Sequence, residues 1–277
     1  MTNNPKIIRG AGGGPPPPSA PPQPTRTPDT LHSRQFATLL DLISEGEIEG
    51  FATASKAGLT KGTTAYNNAA LKDIFLNNTA ILQSSASNTS PASTDFNFQD
   101  VSFTPRFGTS NQEHISGIES SQSINPVGVT VTNSTPVTRT ISNSDIDAVK
   151  VTVTFPQIQV ATDAGDLLGS SVNLQIQIQY NGGGFTTLID DTITGRTADA
   201  YQKEYRVNLT GSFPVDVKVV RVTADATSAS TVNTFQFTSF TEIIDDKQTY
   251  LNSAYTSLRL DSQQFSSIPS RKYRIRG

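Results

Sequence analysis

Strict two-residue alternation in the middle of the chain most limits how it can fold. Val149, Val151, Val153 and Phe155 fall on one side of an extended chain and Lys150, Thr152 and Thr154 on the other, the pattern of a strand with one buried and one wet face. Leu174, Ile176, Ile178 and Tyr180 alternate with Gln175, Gln177 and Gln179 in the same way. Asn181-Gly182-Gly183-Gly184 then supplies a turn before an apolar segment at 185–189. These two segments are predicted to pair as a hairpin with one polar face, because Asn and Gly accept the positive φ of tight turns. Further strands are predicted at 127–131, 137–141, 205–209, 215–222 and 235–244, spaced as in an antiparallel sandwich. Only residues 198–204 hint at a helical turn.

The front of the chain is less regular. Phe36, Leu39, Leu40 and Ile43 fit the spacing of a short amphipathic helix and would equally serve a buried strand, with Gly46 and Gly50 ending either one. Ile74 and Leu76, then Asn77-Asn78, then residues 80–82 predict a hairpin. Phe96/Phe98 and Val101/Phe103 repeat the alternation. Residues 83–95 and 108–126 are rich in Ser, Thr, Asn and Gly and read as surface loops. Leu258 and Leu260 suggest one more strand. Lys272, Arg274 and Arg276 alternate with Tyr273 and Ile275 as in a strand with one basic face. Because the sequence stops inside a strand pattern, at Gly277, it reads as the front part of a larger design.

Residues 10–28 run Gly-Ala-Gly-Gly-Gly, then Pro15 to Pro18, Pro21, Pro22, Pro24 and Pro28. Such a segment cannot bury enough apolar surface to offset its own ordering entropy, so residues 1–33 are expected to be an extended arm of polyproline II character lying along a neighbour, with order beginning near Arg34. No apolar run approaches the ~20 residues of a spanning helix, and the first ten residues lack a secretory apolar core. No membrane segment is expected.

Several classes of chemistry are poorly served. The chain of 277 residues has no Cys and only His32 and His114, which removes disulfides, thiolates and cysteine-rich zinc sites and nearly excludes a multi-histidine metal centre. Its net charge is −3, so bulk charge offers no nucleic-acid footprint. Neither histidine stands in a setting suited to an acid–base triad: His32 borders the Pro-rich arm and His114 lies in a Ser/Asn loop. Glu45, Glu47 and Glu49 alternate as a solvated or partner-facing acidic edge, the cation-binding alternative requiring carboxylates at other spacings. Asp163, Asp166, Asp190, Asp191, Asp245 and Asp246 match no calcium loop and read as loop ends. Gly10 to Gly14 and Gly182 to Gly184 lack the Lys-Ser/Thr of a phosphate loop and read as linker and turn. The basic stretch Arg271 to Arg276 reads mainly as the complement of an acidic surface. No catalytic, cofactor or metal site is expected; the chain reads as a structural or interaction protein, not an enzyme.

One local string stands out: Asp41-Leu-Ile-Ser-Glu-Gly-Glu-Ile-Glu-Gly50. It resembles the Asp-x-Ile-Ser-Glu-Gly-Pro-Ile-Glu-Gly string of the tail tip protein J family of long-tailed phages. Matches continue in the same order through Phe96-Asn-Phe-Gln, Gly128-Val-x-Val, Thr135-Pro-Val-Thr-Arg-Thr-Ile141 and Leu174-x-Ile-Gln-Ile-Gln-x-x-Gly-Gly183. They end with Ser239-Phe-Thr-Glu-Ile-Ile-Asp245, Asp261-Ser-x-Gln-Phe265 and Ser270-Arg-Lys-Tyr-Arg-Ile-Arg-Gly277. Position 47 holds Glu where the family string often has Pro.

The resemblance implies a virion component at the tail tip, assembled in the host cytoplasm: the central hub, a homotrimer beneath the distal tail protein that closes the tube around the tape measure protein. The hub would take part in host attachment and open for ejection of DNA, which meets it only in passage. The implied fold is mainly β: a hub β-domain at 34–126 and 248–277, interrupted by an antiparallel β-sandwich-like module at 127–247. The family offers no catalytic residues, and its members carry fibronectin-like and receptor-binding regions further along. Two other readings are a carbohydrate- or surface-binding β-sandwich adhesin and, third, a wall-degrading hydrolase needing a carboxylate pair in a cleft.

Overall fold

The computed structural model describes residues 23–277; the expected arm therefore falls outside the described residues up to position 22. The chain first forms β1 (Phe36–Glu45), β2 (Gly50–Phe51), helices α1 (Ala52–Lys56) and α2 (Thr64–Leu71), β3 (Ile74–Leu76), β4 (Thr79–Ala80) and β5 (Ser102–Phe107). Eleven strands follow: β6 (Glu119–Val131), β7 (Val137–Ile141), β8 (Ala148–Phe155), β9 (Gln159–Ala161), β10 (Leu167–Leu168), β11 (Ser170–Tyr180), β12 (Thr186–Gly195), β13 (Tyr201–Asn208), β14 (Val215–Arg221), β15 (Thr231–Val232) and β16 (Phe235–Asp245). The chain then returns to its first module as β17 (Ser253–Asp261), β18 (Arg271–Tyr273) and β19 (Ile275–Arg276). The fold is mainly β, as the alternation requires.

Two four-stranded antiparallel sheets, ordered β12-β11-β14-β7 and β13-β8-β16-β6, make the sandwich. The alternation assigns their faces correctly. Val149, Val151, Val153 and Phe155 of β8 meet Val172, Leu174, Ile176 and Ile178 of β11 in one buried cluster, completed by Val215, Val217 and Val219 of β14 and Phe235 and Phe237 of β16. Each such side chain contributes ~1.5–3 kcal/mol on leaving water. The β11–β12 hairpin forms as predicted, turning at Asn181 (φ +44°) and Gly182 (φ +73°).

A second cluster forms around β17, which runs between β1 and β5. Leu258 and Leu260 pack with Phe51, Tyr66, Ala69, Ala70, Leu71, Ile74 and Leu76. The ambiguous segment at 36–43 is a strand, because nine residues of β1 pair antiparallel with β17, with a bulge at Ile43, and the strand carries Leu39 and Ile43 onto this cluster. The hairpin at Asn77-Asn78 forms as predicted, with both residues at positive φ.

Other expectations need correction. Residues 198–204 do not form a helical turn: Tyr201–Asn208 is a strand paired with β8. The helices instead lie at Ala52–Lys56 and Thr64–Leu71, a stretch to which the sequence assigns no element. α2 is capped by Thr63, whose Oγ1 accepts from Tyr66 N at 3.2 Å, and it buries Tyr66, Ala69 and Ala70. Residues 119–126 are the first half of β6, not loop, since their polar side chains face outward along an edge strand. Phe96 and Phe98 lie outside the strands. The single basic strand at the end is two short strands in different sheets, β18 on β3 and β19 on β2. Order also begins before Arg34: Thr25 and Thr27 bond to Leu167 of β10, and Thr30 and Leu31 donate to Arg196 O. The described part of the arm thus lies along its own sandwich.

Candidate interaction surface

The string at 41–50 and the basic stretch at 271–276 meet in space. Asp41 is on the inward face of β1, where Arg271 Nε and Nη2 donate to its two carboxylate oxygens at 2.6 and 2.9 Å. Tyr273 Oη donates to the same carboxylate at 2.5 Å. Burial pushes the Asp41 carboxyl up, but the hydrogen bonds from Arg271 and Tyr273 outweigh it and hold the group below its ordinary value. Burial and the neighbouring carboxylate push the Tyr273 phenol up, so it stays a donor. Two further cations of the same stretch find acids: Arg274 reaches the fully buried Asp73 at 2.6 Å and Arg276 reaches Glu49 at 3.1 Å. The basic stretch therefore complements acidic groups of its own chain.

Backbone geometry explains the glycines of the string. The chain turns out of β1 at Gly46 (φ +92°), and Ile48 then donates to Phe107 O at 2.9 Å and is buried. A Cβ on Gly108 (φ +87°) would stand 2.3 Å from Gly46 O and 2.9 Å from Glu47 Cα. Backbone atoms cannot yield as a side chain would. Gly108→Ala is expected to destabilise the first module by about 2–4 kcal/mol, combining positive φ with overpacking; urea unfolding checks this, and a loss below ~0.5 kcal/mol contradicts it.

Glu45 and Glu47 face solvent and, among the described residues, take no cationic partner. Glu49 is separated from them by its bond to Arg276. No group of three or more His, Cys, Asp or Glu suited to a metal ion occurs among the described residues.

The remaining candidates are scattered. His32 lines a cleft of about 1060 Å³, while His114 lies in the β5–β6 connection and receives a bond on its carbonyl from Arg106. Asp163 and Asp166 occupy the turn between β9 and β10. Asp190 and Asp191 are not loop ends but lie inside β12. Asp190 accepts from Asn173 and Gln175, which hold its carboxyl below the ordinary value. Burial raises Asp191, but bonds from Lys203 at 2.6 Å and Tyr205 at 2.5 Å more than offset it. Asp245 ends β16 and pairs with Arg206 at 2.6 Å, and Asp246 caps the following turn at Gln248 N. Gly182 to Gly184 form the hairpin turn.

The cleft lies between the outer face of the β1-β17-β5 sheet, with Phe36, Leu40, Thr104 and Arg259, and the polar face of the sandwich, with Lys150 and Lys203. Three of its cations are paired: Glu119 binds Lys150 at 3.3 Å and Arg206 at 3.1 Å, and Lys203 binds Asp191, while Arg259 lies over the Phe36 ring. That pairing suits a surface more than a reacting centre. Large apolar side chains are exposed on two edge strands: Leu40 and Leu42 on β1, at 42% and 66%, and Ile124 and Val129 on β6, at 69% and 38%. An unpaired strand edge with apolar neighbours is a natural docking element.

Sequence reading missed the buried arginines. Arg221, 1% exposed, donates to Asn233 and to the carbonyls of Thr223 and Ala224. Arg196, 2% exposed, reaches Thr27 O and Asp29. A lone Arg at a strand end was their only signal.

Residues 121–246 match the family model described as the FNIII-A domain of tip attachment protein J. The chain is 31% identical over 256 residues to tip attachment protein J of Escherichia phage SECphi4, covering 92% of this chain and 20% of that protein. It is 26% identical over 202 residues to tip attachment protein J of Escherichia phage SECphi27, covering 72% of this chain and 16% of that protein. The chain thus spans a fifth or less of the length of these relatives. Among solved structures, it is similar to one described as "CBM4 structure and function" at 10% identity and TM-score 0.19, over 48% of this chain and 74% of that one; so slight a likeness carries no argument.

Proposed function

We propose, from the premise that the chain belongs to the tip attachment protein J family, that it is a structural component of the tail tip of a long-tailed phage with a part in host attachment. The observation that carries this reading is the 31% identity to a tip attachment protein J over 92% of the chain. In the finer reading the chain is part of the central hub, closing the tail tube as a homotrimer beneath the distal tail protein and around the tape measure protein. It opens for DNA ejection.

The proposed domains are a hub formed by residues before 119 and after 245 and an inserted sandwich at 119–245, the boundary expected at 126/127 moving to the start of β6 because that strand runs through it within the sandwich sheet; separate cluster memberships support the division. Copies in a cyclic trimer meet head to tail, so each must offer two different surfaces. The apolar edges of β1 and β6 are the candidates. Cross-linking of purified particles followed by mass spectrometry tests the proposal. Links from this chain to itself and to other tail proteins are expected; peptides of this chain missing from the particles, or linked only to the capsid, would overturn it.

A further inference from the structure

We infer that residues 25–34 are a releasable strap that ties the sandwich to the β1-β17-β5 module and walls the cleft between them. The inference stands apart from the oligomeric reading, since it concerns one chain.

The strap is seated on the sandwich by backbone and side-chain bonds. Leu167 N donates to Thr25 O, Thr27 N to Leu167 O, and Thr30 N and Leu31 N to Arg196 O, at 2.9, 2.9, 2.9 and 3.3 Å. Arg196 answers through its own N–H to Thr30 Oγ1 at 3.1 Å and through Nη1 to Thr27 O at 3.0 Å and to Asp29. Room for it is built in: a Cβ on Gly195 (φ +153°) would stand 2.5 Å from Thr30 Oγ1 and 2.9 Å from Leu31 Cγ. Leu31 packs on the sandwich cluster.

Contacts change module at a single residue. Ser33 Oγ accepts from Gln202 N of β13 at 2.8 Å, while Ser33 O accepts from Gln263 Nε2 at 2.7 Å. Immediately beyond, Arg34 pairs with Asp100 and stands 3.8 Å from Asp261, and Gln35 O accepts from Ser262 N at 2.8 Å. The two covalent crossings between modules, at 108–118 and 246–252, therefore have a third, non-covalent companion. Thr30, Leu31, His32 and Arg34 line the cleft it encloses.

Release is local because the strap covers its own anchor. Among the described residues Asp29 is the ion-pair partner of Arg196, and release as proposed requires the Arg196 guanidinium to reach water once the strap lifts, because a charge left buried and unpaired would hold the strap down. What is lost is the eight hydrogen bonds to the sandwich named above and the partial burial of Leu31, with no core strand removed from either sheet. Such an element opens at the low-stability end of the molecule.

Native-state hydrogen exchange and small-angle scattering on the full chain test this, comparing it with an Asp29→Ala/Thr30→Ala variant. In the unaltered chain the amides of Thr27, Thr30, Leu31 and Leu167 are expected to open as one unit, at least ~tenfold faster than Val151, Val217 or Leu258. In the variant they exchange at least ~tenfold faster again, the core amides keep their protection, and the maximum dimension of the molecule grows. Strap amides as protected as the sandwich core, loss of protection throughout the variant, or faster strap exchange with an unchanged scattering profile would each overturn the inference.

Discussion

Phe155→Ala is expected to destabilise the sandwich by about 3–5 kcal/mol and leave the cluster around β17 protected. The ring is fully buried at the end of β8, 5.0 Å from the ring of Phe235 and 6.2 Å from that of Tyr201. Truncation removes those contacts and leaves a cavity that β-strands, fixed by ladder bonds on both sides of β8, cannot close. Phe155 belongs to one cluster only. Exchange at Val151 and Val217 should therefore accelerate by orders of magnitude while Leu71 and Leu258 change little. Equal acceleration in both clusters would mean that they unfold as one.

Asp41→Ala is expected to cost about 2–3 kcal/mol, somewhat less than a fully buried pair because both side chains keep some water. The loss has two parts: the two-pronged bond with Arg271 disappears, and the Tyr273 hydroxyl is left without its acceptor. In a double-mutant cycle Asp41→Ala and Arg271→Ala should be strongly non-additive, since each already removes the pair. The acid limb gives a second reading. Asp41 titrates below its ordinary 3.8 in the folded chain, so the unfolded chain binds more protons in that window. The stabilisation is complete above the ordinary value and is lost as pH falls through the depressed one. Asp41→Asn should flatten this part of the acid limb; an unchanged limb would contradict the assignment.

How much of this was legible in the sequence depended on where each contact came from. β8 and β11 were readable because each lies in a sheet interior with one face on the core, so residues such as Val151 and Gln177 declare their sides. β1 was ambiguous because it is apolar on both faces: Leu39 and Ile43 point in while Leu40 and Leu42 point out. α2 escaped notice since its buried face is built from Ala69 and Ala70, which give little hydrophobic contrast, although Thr63 was an available cap signal. Asp190 and Asp191 defy strand propensity. They are held there by Asn173, Gln175, Lys203 and Tyr205, partners that only the folded sheets bring close.

The acidic and basic strings were each visible, but nothing in either predicted that Asp41 would meet Arg271 across 230 positions. Their joint presence in one family resemblance was the indirect clue. The strap was hidden for a different reason. A segment with four of its contacts made through backbone carbonyls and amides leaves no side-chain pattern to read.

Two separately cored β-modules, joined by two chain crossings and a strap, are proposed to form a tail-tip component that works by packing against neighbours. A reconstruction of the tail end of the phage particle tests this most directly. Density for both modules repeated around the tube axis at the distal end, with the edges of β1 and β6 covered by adjoining copies or partners, is the predicted result. A tail tip in which neither module can be placed would contradict it.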